Sequence, residues 1–140
     1  MSFEYLDHSS DVCIQAIGQS LSEAFCEAAR ALFNLMVDIQ KVIPQNTIPI
    51  EAHAPSLNLL LVEWLATLLA RADLAGLVFS HFEASITKKE GLLSICGSAS
   101  GEALDISRHD PRTEVKGATY AGLEVRNEGG RFVARCVVDV

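Results

Sequence analysis

Pro55-Ser56-Leu57-Asn58-Leu59-Leu60-Leu61-Val62-Glu63-Trp64-Leu65 and the residues after it decide the fold class. Leu57, Leu60, Leu61, Trp64, Leu65, Leu68, Leu69 and Ala72 step by three and four, the spacing that gathers apolar side chains on one helical stripe. The pattern begins after Pro55-Ser56, and Gly76 supplies the residue that ends such helices. Working outward, Ser20-Leu21-Ser22-Glu23 has the form of a capping box. Leu21, Ala24, Phe25, Ala28, Ala29, Leu32, Phe33 and Met36 then repeat the helical spacing. Between and beyond these two helices the period shortens. Val12 to Ile17, Thr47 to Ala52, Leu77 to Ile86, Leu92 to Cys96, Val115 to Val125 and Phe132 to Val140 alternate or are rich in β-branched residues, as strands are. Lys88-Lys89-Glu90-Gly91 and Asn127-Glu128-Gly129-Gly130 are short polar turns with glycine, so each predicts an antiparallel hairpin. The expected architecture is α+β and two-layered, a mainly antiparallel sheet covered on one face by two amphipathic helices.

The chain has 140 residues, 49% of them apolar, which suits one domain over 1–140 with a single core. There is no internal repeat and no linker long enough to divide it. A formal charge of −7 argues against a broad phosphate-gripping face, so direct binding to naked nucleic acid is disfavoured. Cys13, Cys26, Cys96 and Cys136 stand far apart in apolar contexts, and read as small buried hydrophobes in a reducing compartment. The N-terminus lacks a basic segment followed by an apolar one, and no run of about 18 apolar residues occurs. The expectation is a soluble cytoplasmic protein with no membrane association.

Most catalytic motifs fail. Gly97-Ser98-Ala99-Ser100-Gly101 resembles a nucleophile elbow only superficially, because Ala99 occupies the place of the serine. No phosphate loop and no zinc-protease histidine pair is present. His81 falls in a strand and reads as a half-buried hydrogen-bonded residue; His53 and His109 read as loop residues. Gly101 to Arg112 is the longest irregular stretch, and so a candidate functional loop.

Oxygen donors mark the two ends instead. Cys136-Val137-Val138-Asp139-Val140 ends an apolar strand on a carboxylate beside the terminal one, and Asp7-His8-Ser9-Ser10-Asp11 interrupts apolar sequence before Val12. The bland readings are a solvated turn for the first cluster and a frayed end for the second. The apolar run Phe132 to Val138 weakens the latter, because it should hold the strand down. If the two strands are neighbours, Asp11, Asp139 and Val140 make a site for a hard divalent cation such as calcium, magnesium or manganese.

The same residues carry a family resemblance over essentially the whole chain. Asp7-His8-Ser9-Ser10-Asp11 resembles the Asp-His-Thr-Ala-Asp opening of the archease family, and Leu60-Leu61-Val62-Glu63-Trp64-Leu65 resembles its second-helix signature. Glu114-Val115-Lys116-Gly117 is similar to its Glu-Val-Lys-Ala strand, and Val137-Val138-Asp139-Val140 to its aliphatic-Asp-aliphatic end. The resemblance implies a protein that is not itself an enzyme. It would be a cofactor for the GTP-dependent RNA ligase of tRNA splicing and RNA repair, promoting guanylylation of the ligase and its multiple turnover. In that system the ligase uses divalent metal to guanylylate its own histidine, then joins an RNA 3′-phosphate or cyclic phosphate to a 5′-hydroxyl. Broken RNA or tRNA would be met only indirectly, through the ligase. Family metal positions fall on Asp11 and Asp139, with an oxygen of Val140 completing the set; His8 and Lys116 stand as accessory or partner-contact positions. Ala121 replaces a frequent family histidine, Gly117 an alanine, and Ser9-Ser10 the Thr-Ala pair. The alternatives are a general metal-binding chaperone or adaptor with other clients, and a metal-dependent phosphoester hydrolase.

Overall fold

The computed structural model describes residues 1–8 and 11–140; Ser9 and Ser10 lie outside the described residues. In chain order the elements are β1 (Ser2–His8), β2 (Asp11–Gly18), α1 (Leu21–Met36), a 3-10 turn (Ile39–Lys41), β3 (Asn46–Ala54) and α2 (Leu57–Ala75). They are followed by β4 (Leu77–Lys89), β5 (Leu92–Ala103), the one-turn helix α3 (Ile106–His109), β6 (Gly117–Ala118), β7 (Glu124–Glu128) and β8 (Arg131–Asp139). The α+β, mainly antiparallel reading holds. The strands, however, divide between two sheets instead of forming one: β1-β2-β8-β6 with β7 also on β8, and β3-β5-β4.

Both helices start where the sequence places them. Ser20 Oγ accepts from the Glu23 amide at 3.1 Å and Ser56 Oγ from the Leu59 amide at 3.3 Å. Gly76, at φ 68°, ends α2. The buried Trp64 ring donates from Nε1 to the Phe25 carbonyl at 3.0 Å, tying α2 to α1 without leaving an unsatisfied polar atom. Phe33, Phe79 and Phe82 stack across the interface of α1 with β4, with Phe33 and Phe79 ring centres 5.2 Å apart.

Both expected hairpins form. Glu90-Gly91 and Gly129-Gly130 are two-residue turns with positive φ at both positions, the twist that antiparallel strands require. The expected strand Val115 to Val125 is instead broken. β6 pairs with the end of β8 and β7 with its beginning, and the turn between them is held by Thr119. Thr119 Oγ1 donates to the Val137 carbonyl at 2.9 Å and accepts from the Ala121 amide at 3.3 Å. β1 was not expected; its Phe3 packs on the core and its Tyr5 hydroxyl donates to the Ala31 carbonyl at 2.8 Å.

The Gly97 to Gly101 segment lies inside β5. A Cβ on Gly97 would fall 1.8 Å from the Glu83 carbonyl oxygen, and one on Gly101 would fall 1.7 Å from that of Val78. These glycines admit the backbone of β4, which shifts register between Phe79 and His81.

The expected functional loop is structural. Its first three residues finish β5, and α3 buries His109 completely, correcting its reading as a loop residue. His109 Nδ1 accepts from the Asp105 amide at 2.8 Å, so Nε2 carries the proton and donates to Glu102 at 2.9 Å. The Glu102 carboxylate, itself buried, also accepts from the Ile43 amide and from both terminal nitrogens of Arg108. The following residues cap α1 from outside. Arg112 Nη1 donates to the Asn34 carbonyl, the Thr113 amide to that of Leu35 and the Arg112 amide to that of Met36, while Val37 satisfies Phe33. All four orphan carbonyls of the helix end are thereby met.

The bond to Arg108, then those from the Ile43 amide and His109, hold the Glu102 carboxyl down at about 2, against an ordinary 4.5. A depressed carboxyl contributes stability that is fully present above pH 4.5 and is lost as pH falls through about 2. Glu102→Gln should lower the melting temperature at pH 7 and flatten its decline between pH 4.5 and 2; melting curves across that range check this.

The thiols divide. Cys13 and Cys136 are buried as expected, Cys26 is half-buried, and Cys96 is exposed on β5, correcting its expected burial. Burial pushes the Cys136 thiol up to about 12 and that of Cys26 to about 11, so neither is a nucleophile at neutral pH.

Candidate metal centre

β2 and β8 are neighbours, as the site requires. Val12 pairs with Val138 and Cys13 with Val137. Continuing that register by one residue sets Asp11 across from Asp139, on the face that carries Cys13 and Val137. Directly opposed residues place their Cβ atoms about 5 Å apart, within reach of one shared cation. Asp139 is exposed and Asp11 half-buried, so the pair sits at the lip of the sheet. Val140 packs its side chain against the edge of the core, which fixes the backbone on either side of Asp139.

β6 closes the other flank. Gly117 pairs with Asp139, and the Lys116 amide donates to the Asp139 carbonyl at 2.7 Å. A Cβ on Gly117 would meet nothing within 4 Å, so the place beside Asp139 is open and an alanine would fit there equally well. Lys116, which precedes β6, and Gly117 both line a cleft against α2. His8, the last residue of β1, is in register with Asp11. Ala121 is an exposed residue of the Thr119 turn. The expectations on Ser9 and Ser10 lie outside the described residues.

Among the described residues, no three His, Cys, Asp or Glu side chains converge as a metal cluster. Asp11 and Asp139 are therefore two carboxylates without a third side-chain ligand among those residues. Two carboxylates suit a hard divalent cation whose other positions go to water or to a partner.

The cleft beside Lys116 was not anticipated. It encloses about 630 Å³ between α2, the end of α1, the start of β4 and the segment Glu114–Gly117. Its signal was present in α2, whose residues are apolar nearly all round and not along the core stripe alone.

This fold, two antiparallel sheets with two long helices and with Asp11 and Asp139 at one end of adjacent strands, is that of a small α+β protein. The model of the archease protein family matches residues 3–140, and the chain belongs to that family. The archease of Methanopyrus kandleri is 38% identical over the full length of both chains, and that of Pyrococcus furiosus is 37% identical over 99% of this chain and 98% of its own. Among solved structures, protein 1598 of Methanobacterium thermoautotrophicum superposes with a TM-score of 0.88 at 32% identity, covering 99% of each chain. A Thermotoga maritima protein described as an archease and possible chaperone shares the fold at a TM-score of 0.58 and 16% identity, over 98% of this chain and 96% of its own. No helix among the described residues is long and apolar enough to cross a membrane.

Proposed function

We propose that this protein is a non-enzymatic cofactor of a GTP-dependent RNA ligase in tRNA splicing and RNA repair, promoting ligase guanylylation and multiple turnover through a divalent-metal site. The observation that carries the reading is the placement of Asp11 and Asp139 at one end of adjacent strands, beside an open Gly117. Asp11 and Asp139, with an oxygen of Val140, would hold the cation, which when bound supplies positive charge to phosphate oxygens and leaving groups. Each carboxylate repels the other, and a shared cation relieves this. The antiparallel pairing of β2 with β8 keeps Asp11 and Asp139 at one strand end, and the lip location lets a partner complete the ligand set. His8, in register with Asp11, is an accessory or partner-contact position, and Lys116 lines the adjoining cleft. Membership of the archease family supports the cofactor role.

The test is guanylylation of the ligase with and without this protein in magnesium, manganese and calcium. Faster guanylylation and repeated turnover are expected, with no phosphatase or nuclease activity from the protein alone. Turnover by the protein alone, lost in Asp11→Ala, would overturn the reading in favour of a hydrolase.

A further inference from the structure

α2 buries one stripe under the sheets, and Leu69 at its edge, with the exposed Ala66 and Ala70, borders the cleft. Ala66, Leu69, Ala70 and Asp73 follow the three-four helical spacing and line the cleft, and Ala66, Ala70 and Asp73 are exposed. Leu69 also packs against the core, whereas Ala66 and Ala70 are exposed and are not held apolar by the core contacts of α2. The small side chains let another backbone approach the helix closely. Across the cleft, Glu114 and Lys116 form the facing wall.

The charges at the rim define what fits. Asp73, Glu114 and Lys116 take part in no ion pair among the described residues, unlike the arginines elsewhere on the surface. Two free carboxylates against one ammonium leave the rim net negative, on a chain of charge −7. A segment seated there gains most if it is apolar toward Leu69 and carries a basic residue toward Asp73 and Glu114. The facing wall also runs directly into the carboxylate tip: the Lys116 amide bonds to Asp139, and Gly117 pairs with it. The tip and the mouth of the cleft are thus joined through Lys116 and Gly117 at the sheet edge.

We infer that the cleft between α2 and Glu114–Gly117 is a docking groove for an apolar segment, bearing a basic residue, of the same partner protein that engages the Asp11–Asp139 tip. The groove supplies affinity and the tip supplies chemistry. This rests on the proposed ligase partnership, naming the surface that holds the partner in place.

Two variants separate bulk from charge. Ala66→Gln/Ala70→Gln fills the groove with good helix formers at exposed positions, and Asp73→Lys reverses the rim. Fluorescence anisotropy of the labelled protein titrated with the GTP-dependent RNA ligase reads affinity, and thermal melting confirms folding. The expected result is binding about tenfold or more weaker for the double variant and several-fold weaker for Asp73→Lys. Asp11→Asn/Asp139→Asn should keep most of the affinity while losing stimulation. Wild-type affinity in both groove variants overturns the groove and leaves the ligase reading standing, whereas a wild-type protein that does not bind the ligase overturns both.

Discussion

Asp139→Asn should reduce stimulation of ligase guanylylation by roughly 10–100-fold while leaving the melting temperature within a degree or two, the scale on which loss of a metal-supporting group acts. The substitution keeps shape and hydrogen-bonding capacity but removes the charge that a hard cation requires. Because Asp139 is exposed, its carboxylate contributes little to the core. Its backbone bond from the Lys116 amide and its pairing with Gly117 do not involve the side chain and survive the change. Asp11→Asn should behave in the same way, and the double variant should be no worse than the more severe single one, since one remaining carboxylate already fails to hold the ion. Single-turnover guanylylation with radiolabelled GTP measures this. Full stimulation by both single variants would exclude the tip from the mechanism.

Gly101→Ala should be the most destabilising single methyl in the molecule. Its Cβ would lie 1.7 Å from the Val78 carbonyl oxygen and 2.8 Å from the Phe79 Cα, both backbone atoms with no rotamer to escape into. β4 must then move away from β5, at the point where Phe79 pairs with Gly101 and enters the aromatic cluster on Phe33. Overpacking of this kind costs about 3 kcal/mol or more, lowering the melting temperature by about 10 °C. Gly97→Ala should follow closely, whereas Gly117→Ala, whose Cβ meets open space, should be neutral. Calorimetric melting of the three variants distinguishes them. Equal melting temperatures for Gly101→Ala and Gly117→Ala would mean that the close approach of β4 is not needed.

The two helices were legible because capping residues and the three-four period are local signals, and Ser20 and Gly76 perform the expected tasks. The turns at Glu90-Gly91 and Gly129-Gly130 were legible for the same reason. What escaped notice depends on contacts distant in sequence. β1 is short, and its alternation rests on Phe3 and Tyr5 alone. The division into two sheets depends on which edges meet, which periodicity does not encode. Gly97 and Gly101 resembled a failed catalytic motif because nothing near them in sequence reveals that the β4 backbone lies against them. His109 read as a loop residue because its partners, Glu102 and the Asp105 amide, are joined only when α3 turns. At the site, Asp11 and Asp139 were legible as strand-end carboxylates, and the pairing of β2 with β8 brings their strand ends side by side. The groove escaped because Ala66 and Ala70 carry no chemistry of their own; only the position of α2 at the surface gives them significance.

The most direct test of the open metal tip is isothermal titration of the protein with manganese, comparing wild type with Asp11→Asn/Asp139→Asn. A single site of modest affinity in the wild type, absent from the double variant, is the result expected of two carboxylates that leave coordination positions for a partner. Identical manganese binding by both proteins would contradict it.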